Sequence, residues 1–160
     1  MATTMKGKDV IKGSLAECYV SMPDKNGEIL TYNFAHAINL EASMEKNKTT
    51  APVLGKTGKV NITSTWEGSG SMTMHYNTSI MREILEKYKD KGEETYFEIL
   101  VTNEAPGSSV GTQKVLLKDC SIDGGIIAKF DADADYLDES IDFTFDDFEI
   151  QTSFSTPETI

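Results

Sequence analysis

The sequence is poor in the residues that build metal, redox or disulfide sites. It contains only two cysteines, Cys18 and Cys120, and they form no CxxC pair. Both lie in strand-like segments, so we expect small buried side chains, with a disulfide as the less favoured alternative. The histidines, His36 and His75, have no partner at ligand spacing, so we expect His36 to be a core residue and predict no metal site and no cofactor.

Long apolar runs are also absent. No segment is long and apolar enough to cross a bilayer, and residues 1–13 are polar, unlike a secretory leader. We therefore expect a soluble protein made in the cytoplasm, with no membrane partner. A chain of 160 residues fits a single domain spanning 1–160, which is large enough to bury a core without disulfides or metal.

Positive charge is missing from one end of the chain. All fifteen Lys and Arg residues fall within residues 1–129, whereas the last 31 residues hold ten acids and no base. That segment is also rich in phenylalanine, which argues against a disordered tail and predicts an ordered acidic surface. Specific nucleic-acid binding is disfavoured, because phosphate contacts require a basic face. The candidate acidic surface comprises Asp131, Asp133, Asp135, Asp138, Glu139, Asp146, Asp147 and Glu149.

No nucleotide or catalytic motif is complete. Gly55-Lys56-Thr57 resembles the end of a phosphate-binding loop, but that motif requires a glycine where Thr50 stands. No serine or cysteine occupies a nucleophile elbow, and nothing in the sequence pairs two carboxylates in contrasting environments. We predict that the protein is not an enzyme.

A calcium loop is also weighed and disfavoured. Asp131, Asp133 and Asp135 have the spacing that opens such a loop, but the sixth position is Tyr136 and the twelfth is Asp142, where glycine and glutamate are usual. We favour three aspartates on the polar face of a strand.

Alternating apolar residues predict a mainly β fold. A turn at 23–27 joins a first hairpin whose second strand continues to Leu40. Gly68-Ser69-Gly70 predicts the turn of a second hairpin, and the loop 103–111 predicts a third. Apolar residues at helical spacing predict one helix over 78–92.

The alternation of apolar and polar residues shifts by one residue at two places, here called phase slips, and these refine the predicted fold class. One lies between Leu117 and Cys120, and the other between Phe145 and Phe148. Because side chains alternate strictly along a strand, each slip predicts a bulge or a strand that changes faces. We therefore predict a β-sandwich or barrel with one flanking α-helix.

Residues 45–59 contain four lysines and no acid after Glu45. We interpret this segment as an extended loop without secondary structure, which is long for a compact domain and favours an interaction role. A basic loop and an acidic surface on one chain predict heterologous contacts between copies, which build rings or filaments. The candidate inter-subunit residues are Lys46, Lys48, Pro52, Leu54, Lys56 and Lys59.

Several segments carry a resemblance to a known family. They are MEKNK (44–48), LGKTGK and the strand after it (54–66), the YKDKG helix end (88–92), TYFEILV (95–101), SSVGTQKVLLKDCSID (108–123), IAKFDAD (127–133) and FTFDDFEI (143–150). In these segments the chain resembles the tail tube proteins of contractile-tailed phages, particularly the branch of PBSX prophage-like elements and R-type bacteriocins.

The resemblance implies a structural subunit that assembles into stacked hexameric rings, forming a hollow conduit in a virion or phage-like particle tail after assembly in the host cytoplasm. It implies sheath, baseplate and tape-measure proteins as partners, and an extended loop that reaches a neighbouring subunit, a role that falls to residues 45–59. An acidic lumen would let DNA pass without sticking.

The alternative hypothesis is a monomeric β-barrel that binds a small ligand or calcium. It would use Trp66, Phe97 and Phe130 as pocket walls, or the aspartates at 131–135 as ligands.

Overall fold

The computed structural model describes residues 4–23, 27–33 and 37–156. After a 3₁₀ turn at Gly7–Asp9, the chain forms eight strands and one helix within these ranges. The elements are β1 (Ala16–Pro23), β2 (Ile29–Asn33), β3 (Ala37–Pro52), β4 (Lys59–His75), α1 (Ile80–Lys91), β5 (Phe97–Ala105), β6 (Gly111–Gly124), β7 (Asp138–Phe145) and β8 (Asp147–Thr152). The predicted mainly β fold with one helix is confirmed.

The strands pair antiparallel in the order β2-β1-β5-β6-β7-β4-β3, and β8 also pairs with β6. Strand β6 is long enough to belong to two parts of the sheet. Its first part lies between β5 and β8, and its last residues pair with β7. Both parts contribute side chains to one buried core, as in a sandwich or open barrel.

The core takes side chains from both parts of the sheet and from one face of α1. Burial of these side chains holds the helix against the sheet. The most buried are Val20, Met72, Met74, Met81, Phe97, Ile99, Cys120, Ile141 and Phe143.

Helix α1 starts two residues later and ends one residue earlier than predicted, with Gly92 as its C-cap. The backbone N–H of Ile80 lies 3.4 Å from Thr78 Oγ1. At the other end Gly92 adopts φ 67 and donates its N–H to Tyr88 O at 2.8 Å, a left-handed termination that suits glycine. Arg82 on α1 forms an ion pair with the buried Glu139 of β7 and lies 4.3 Å from the centre of the Tyr76 ring.

The first predicted phase slip is confirmed as a bulge, whereas the second is a boundary between two strands. In β6, the register against β5 shifts between Ile99/Leu117 and Phe97/Cys120, and Asp119 adopts φ 53. This bulge lets Leu117 and Cys120 both face the core. The second slip falls where β7 ends and β8 begins, at Asp146, whose N–H donates to Lys118 O at 3.2 Å.

Four predictions about elements are wrong. The run to Leu40 is two strands, because β2 pairs with β1 whereas β3 pairs with β4. Gly68-Ser69-Gly70 is no turn and lies within β4. Asp131, Asp133 and Asp135 lie between β6 and β7, off any strand, and residues 45–52 are part of β3. His36 lies outside the described residues.

No helix within 4–23, 27–33 and 37–156 combines the length and apolar character needed to span a membrane.

Candidate assembly surface

The segment predicted to be a loop is the distal half of a long hairpin. Strand β4 pairs with β7 only from Gly68 to His75, whereas its pairing with β3 continues out to Lys59. Residues 45–67 therefore form a two-stranded structure, here called the ribbon. At a rise of about 3.3 Å per residue, Glu45–Pro52 extends for roughly 26 Å. Nearly every ribbon residue is exposed, so its sequence is not explained by packing within one chain.

The ribbon keeps its β structure because its two strands hydrogen-bond to each other. Pairing runs from Glu45/Glu67 to Pro52/Lys59, with a register shift at Asn47/Lys48. Near the shift, Asn47 Nδ2 donates to Thr65 Oγ1 at 3.0 Å and Ser64 Oγ donates to Asn47 O at 2.9 Å. These bonds replace ladder hydrogen bonds that the bulge disturbs.

The tip of the ribbon (Val53–Gly58) presents an apolar side chain to solvent. Lys56 donates its N–H to Val53 O at 3.2 Å, closing a turn in which Gly55 adopts φ 86. Leu54 in that turn is fully exposed. Isolated exposed leucines are ordinary, but this one occupies the far end of a projecting element, where it cannot reach its own core.

The predicted inter-subunit residues all lie on the ribbon and face solvent: Lys46, Lys48, Pro52, Leu54, Lys56 and Lys59. Within the described part of the chain, the four lysines form no ion pair. Among the described residues, the positive charge of the ribbon thus has no ion-pair partner.

An aromatic cluster fixes the base of the ribbon to the body. Trp66 lies 6.4 Å from Phe145 and 5.9 Å from Phe148 between ring centres, and the two phenylalanines lie 6.3 Å apart. The Phe145 ring covers Gly68, so that a Cβ there would stand 2.4 Å from a ring carbon. Tilted and edge-on arrangements of this kind are favourable for aromatic rings.

Beside this cluster is an apolar groove of 410 Å³, here called the groove. It lies between β3 and the side chains of β5, β6 and β8. Its lining residues are Leu40, Glu41, Ala42, Ser43, Met44, Val101, Gln113, Val115, Leu117, Phe145, Phe148 and Ile150. The sequence pattern did not indicate it, because it joins strands that are distant along the chain.

A second concavity, of 480 Å³, lies on a polar face that sequence reasoning also missed. Glu41, Ser43, Ser69, Ser71, Asp123 and Asp142 line it, together with Gly70 and Phe143. These side chains include three carboxylates and no base. The signal in the sequence was the alternation of small polar residues along β3 and β4, opposite the buried phase.

The candidate acidic surface is only partly a surface. Asp131, Asp133, Asp135, Asp146, Asp147 and Glu149 are exposed, and Asp138 is partly so. Glu139 was wrongly assigned, because its side chain is 2 % exposed and paired with Arg82. Lys129 and Lys118 partly neutralise the others, with Nζ at 3.3 Å from Asp138 Oδ1 and 3.2 Å from Glu149 Oε2. Contact with Glu149 raises the pKa of Lys118.

The structure does not assemble the ligand site of the alternative hypothesis. Phe97 is buried, Phe130 is 89 % exposed and Trp66 belongs to the aromatic cluster, so the three do not line one pocket. Asp133 donates its N–H to Asp131 Oδ1 at 3.1 Å in an exposed turn. Across 4–23, 27–33 and 37–156, no group of three or more His, Cys, Asp or Glu side chains is placed to hold a metal ion.

Both cysteines are free thiols, and Cys120 is buried as predicted, whereas Cys18 is only partly buried. Burial raises the pKa of Cys18 to about 11 and that of Cys120 to about 12. Neither thiol is therefore activated for chemistry at neutral pH.

Comparison with known proteins agrees with this geometry. The family model described as phage tail tube protein matches residues 3–151. The PBSX phage-like element protein XkdM of Bacillus subtilis is 32% identical over 121 residues, which cover 76% of this chain and 82% of XkdM. The uncharacterized protein YqbM of the same strain is 34% identical, over 72% of this chain and 79% of YqbM.

Solved structures share the fold at low identity. A chain of the extracellular contractile injection system PVC, in its sheath/tube terminator in the extended state, matches with a TM-score of 0.60 at 10% identity, over 84% of this chain and 93% of that one. The SPP1 tail tube matches with a TM-score of 0.59 at 11% identity, over 88% and 78%. Because the family model spans nearly the whole chain and XkdM is 32% identical over 121 residues, this chain belongs to the phage tail tube protein family.

Proposed function

We propose that this tail tube protein works without enzymatic activity, as a subunit that assembles into hexameric rings stacked into a hollow conduit. The observation that carries the proposal is the ribbon, an ordered, basic element that leaves the body of the subunit and ends in an exposed leucine. A two-stranded ribbon that leaves the body of a domain gains stability when another surface packs against it.

The ribbon provides the contact with a neighbouring copy. The ribbon differs in chemistry from the acidic surface and from the groove, so a contact of the ribbon with either surface of another copy is heterologous. Heterologous contacts generate rings or filaments instead of closed dimers. Charge pairing sets the register of the contact, while buried apolar area supplies most of the affinity.

The polar face around Glu41, Asp123 and Asp142 lines the conduit. Its concavity has carboxylates, serines and no base, which suits a surface that must not retain a polyanion. DNA passing along such a wall meets like charge and no phosphate-binding group. The sheath, baseplate and tape-measure proteins that the resemblance implies are the other components of the particle. Assembly takes place in the host cytoplasm.

Negative-stain electron microscopy of concentrated purified protein, and of tail-like particles from cells that express it, tests this function. We expect hollow rods in the first sample and this protein within the particles of the second. A protein that stays monomeric at high concentration and is missing from the particles would contradict the proposal.

A further inference from the structure

We propose that residues 125–137, here called the acidic loop, form a docking surface for a basic, partly apolar segment of a protein other than this chain. The inference goes beyond the proposed assembly, because the acidic loop is separate from the ribbon, the groove and the polar face.

The acidic loop joins β6 to β7 and displays large apolar side chains to solvent. Phe130 is 89 % exposed, Ile127 65 % and Tyr136 63 %. Single exposed apolar residues are ordinary, but these three stand within ten residues of one connection. Contact with a partner would remove this apolar area from water, which is favourable.

Hydrogen bonds to the body hold the acidic loop in its shape. Lys129 donates its Nζ–H to the backbone oxygen of Asp138 at 2.7 Å. At the end of the loop, the backbone oxygen of Leu137 accepts the N–H of Tyr76 at 3.0 Å. A surface that is ordered before binding loses less conformational entropy when a partner arrives.

The charge of the acidic loop is negative and uncompensated. Asp131, Asp133 and Asp135 are exposed, and none of them forms an ion pair within the described part of the chain. Lys129, the one base in the loop sequence, is paired with Asp138. A partner that offers lysine or arginine beside aliphatic side chains therefore matches both features of this surface.

The acidic loop lies at the opposite end of β7 from the ribbon. At the start of β7, Asp138 pairs with His75, whereas at its end Phe145 pairs with Gly68, next to the base of the ribbon. The eight residues of β7, at about 3.3 Å each, separate the acidic loop from the acids at 146–149 by roughly 26 Å. The predicted acidic surface is therefore two surfaces, and only the acids at 146–149 lie near the ribbon base.

Charge identifies the occupant as a different protein. Copies of a chain with a net charge of −11 repel one another, whereas a basic protein is attracted. Ion pairs within the subunit already engage Arg82, Lys87, Lys89, Lys118 and Lys129. Among the remaining bases the ribbon lysines are the largest group, and the proposed assembly already uses them.

Peptide binding to the full-length, unassembled protein tests this docking surface. The probe is a synthetic amphipathic peptide of leucine and lysine, and a peptide of serine and lysine with the same charge is the comparison. Fluorescence anisotropy at physiological salt measures both affinities. We expect the leucine–lysine peptide to bind about tenfold more tightly, because only its side chains can bury the apolar residues of the acidic loop.

A pair of apolar variants assigns the binding to the acidic loop. Phe130→Ser should weaken binding of the leucine–lysine peptide by about tenfold, the loss expected when one phenyl ring can no longer be buried. Ile29→Ser is the matched control, since Ile29 on β2 is 75 % exposed, and it should leave the affinity unchanged.

A pair of charge variants tests the electrostatic part. Replacing Asp131, Asp133 and Asp135 together by Asn should weaken binding and reduce its dependence on salt. The matched control lies at the other end of β7, should have little effect, and neutralises Asp146, Asp147 and Glu149.

Tube formation separates this inference from the proposed function. Phe130→Ser protein should form tubes at the same concentration as the parent, because the acidic loop is not used between copies. Loss of tubes in Phe130→Ser would show that a second copy occupies the loop and would overturn the inference. Equal affinity of parent and Phe130→Ser for the leucine–lysine peptide, or no binding to the parent, would also overturn it while leaving the assembly intact.

Discussion

Two glycines in the middle of β4 let aromatic rings lie flat against the strand. Gly68 is paired with Phe145 and Gly70 with Phe143 across the sheet, and each ring occupies the space that a Cβ would need. A phenylalanine that covers a strand glycine compensates for the missing side chain. These positions therefore need glycine for close packing and not for a turn.

Substitution of Gly70 tests this packing. A Cβ there would lie 2.5 Å from the Phe143 ring and 2.8 Å from the backbone oxygen of Glu41, so Gly70→Ala should lower the free energy of unfolding by about 1–3 kcal/mol. Chemical denaturation measures the change. Gly58→Ala, where nothing lies within 4 Å, should stay within about 0.5 kcal/mol of the parent, and equal losses for the two variants would contradict the packing account.

The ion pair of Arg82 and Glu139 is a buried link between α1 and β7. Removing the guanidinium in Arg82→Met leaves a carboxylate that is 2 % exposed without its counter-charge. We expect a loss of about 3–5 kcal/mol in thermal or denaturant unfolding. Lys87→Met, which breaks the exposed pair with Glu93, serves as the control and should cost at most about 1 kcal/mol.

Asp9 ties the N-terminal segment to the loop between β5 and β6. Its carboxylate is 4 % exposed and accepts hydrogen bonds from the backbone N–H of Ser109 at 2.9 Å and from the hydroxyls of Ser108 and Ser109, each at 2.8 Å. The Ser109 N–H, followed by the hydroxyls, lowers the pKa of Asp9 below its ordinary value of 3.8. The charged form is thus the one that the fold stabilises.

The lowered pKa predicts the direction of a pH effect. The contribution of Asp9 is fully present above the unfolded value of 3.8 and is lost as the pH falls through the lower folded value. Asp9→Asn should therefore be less stable than the parent near neutral pH, and the gap should narrow on acidification. Denaturation at several pH values measures the gap, and Asp133→Asn, at an exposed turn, should show none. A constant gap would contradict the assignment.

At the scale of elements, the lysines of the ribbon give the proposed assembly contact its positive charge. Replacing Lys46, Lys48, Lys56 and Lys59 together by Glu reverses its field while leaving its backbone pairing in place. We expect tube formation to be blocked, as measured by sedimentation, with circular dichroism unchanged. The same charge change at Lys12, Lys87, Lys89 and Lys91 is the control, and normal tubes from the ribbon variant would refute the role of the ribbon lysines.

Local patterns predicted most elements, and the failures have physical causes. Hairpin β5–β6 and α1 carry their own turn and capping residues, and both phase slips are visible as breaks in alternation. Residues 45–52 were taken for a loop because both of their faces are polar, so no alternation marks them as strand. Glycines 68 and 70 suggested a turn, since only the distant Phe143 and Phe145 explain them.

The exposed residues of the candidate site could be predicted from the sequence. The residues whose environment depends on contacts between distant segments could not. Lysines in a polar segment are expected to face solvent, and those of the ribbon do. The burial of Glu139 could not be predicted, because its partner Arg82 lies 57 residues earlier on α1. The groove joins residues from β3 to β8 and exists only in the folded chain.

At the scale of the whole molecule, the subunit carries surfaces of unlike chemistry. One side projects basic charge and an exposed leucine, while the groove and the polar face offer apolar side chains and carboxylates. With a net charge of −11, identical subunits repel one another in general, so we expect contact where the basic ribbon meets an acidic or apolar surface. On the proposed assembly, association would then be limited to a repeating, directional contact.

The most direct test is a cryo-EM reconstruction of the tube in tail-like particles that contain this protein, at a resolution that traces the ribbon. We predict six copies in each ring, with residues 45–67 of every copy resting on a neighbouring subunit and the Glu41, Asp123 and Asp142 face turned to the lumen. A reconstruction in which the ribbon contacts only its own subunit, or in which this protein lies outside the tube, would contradict the account.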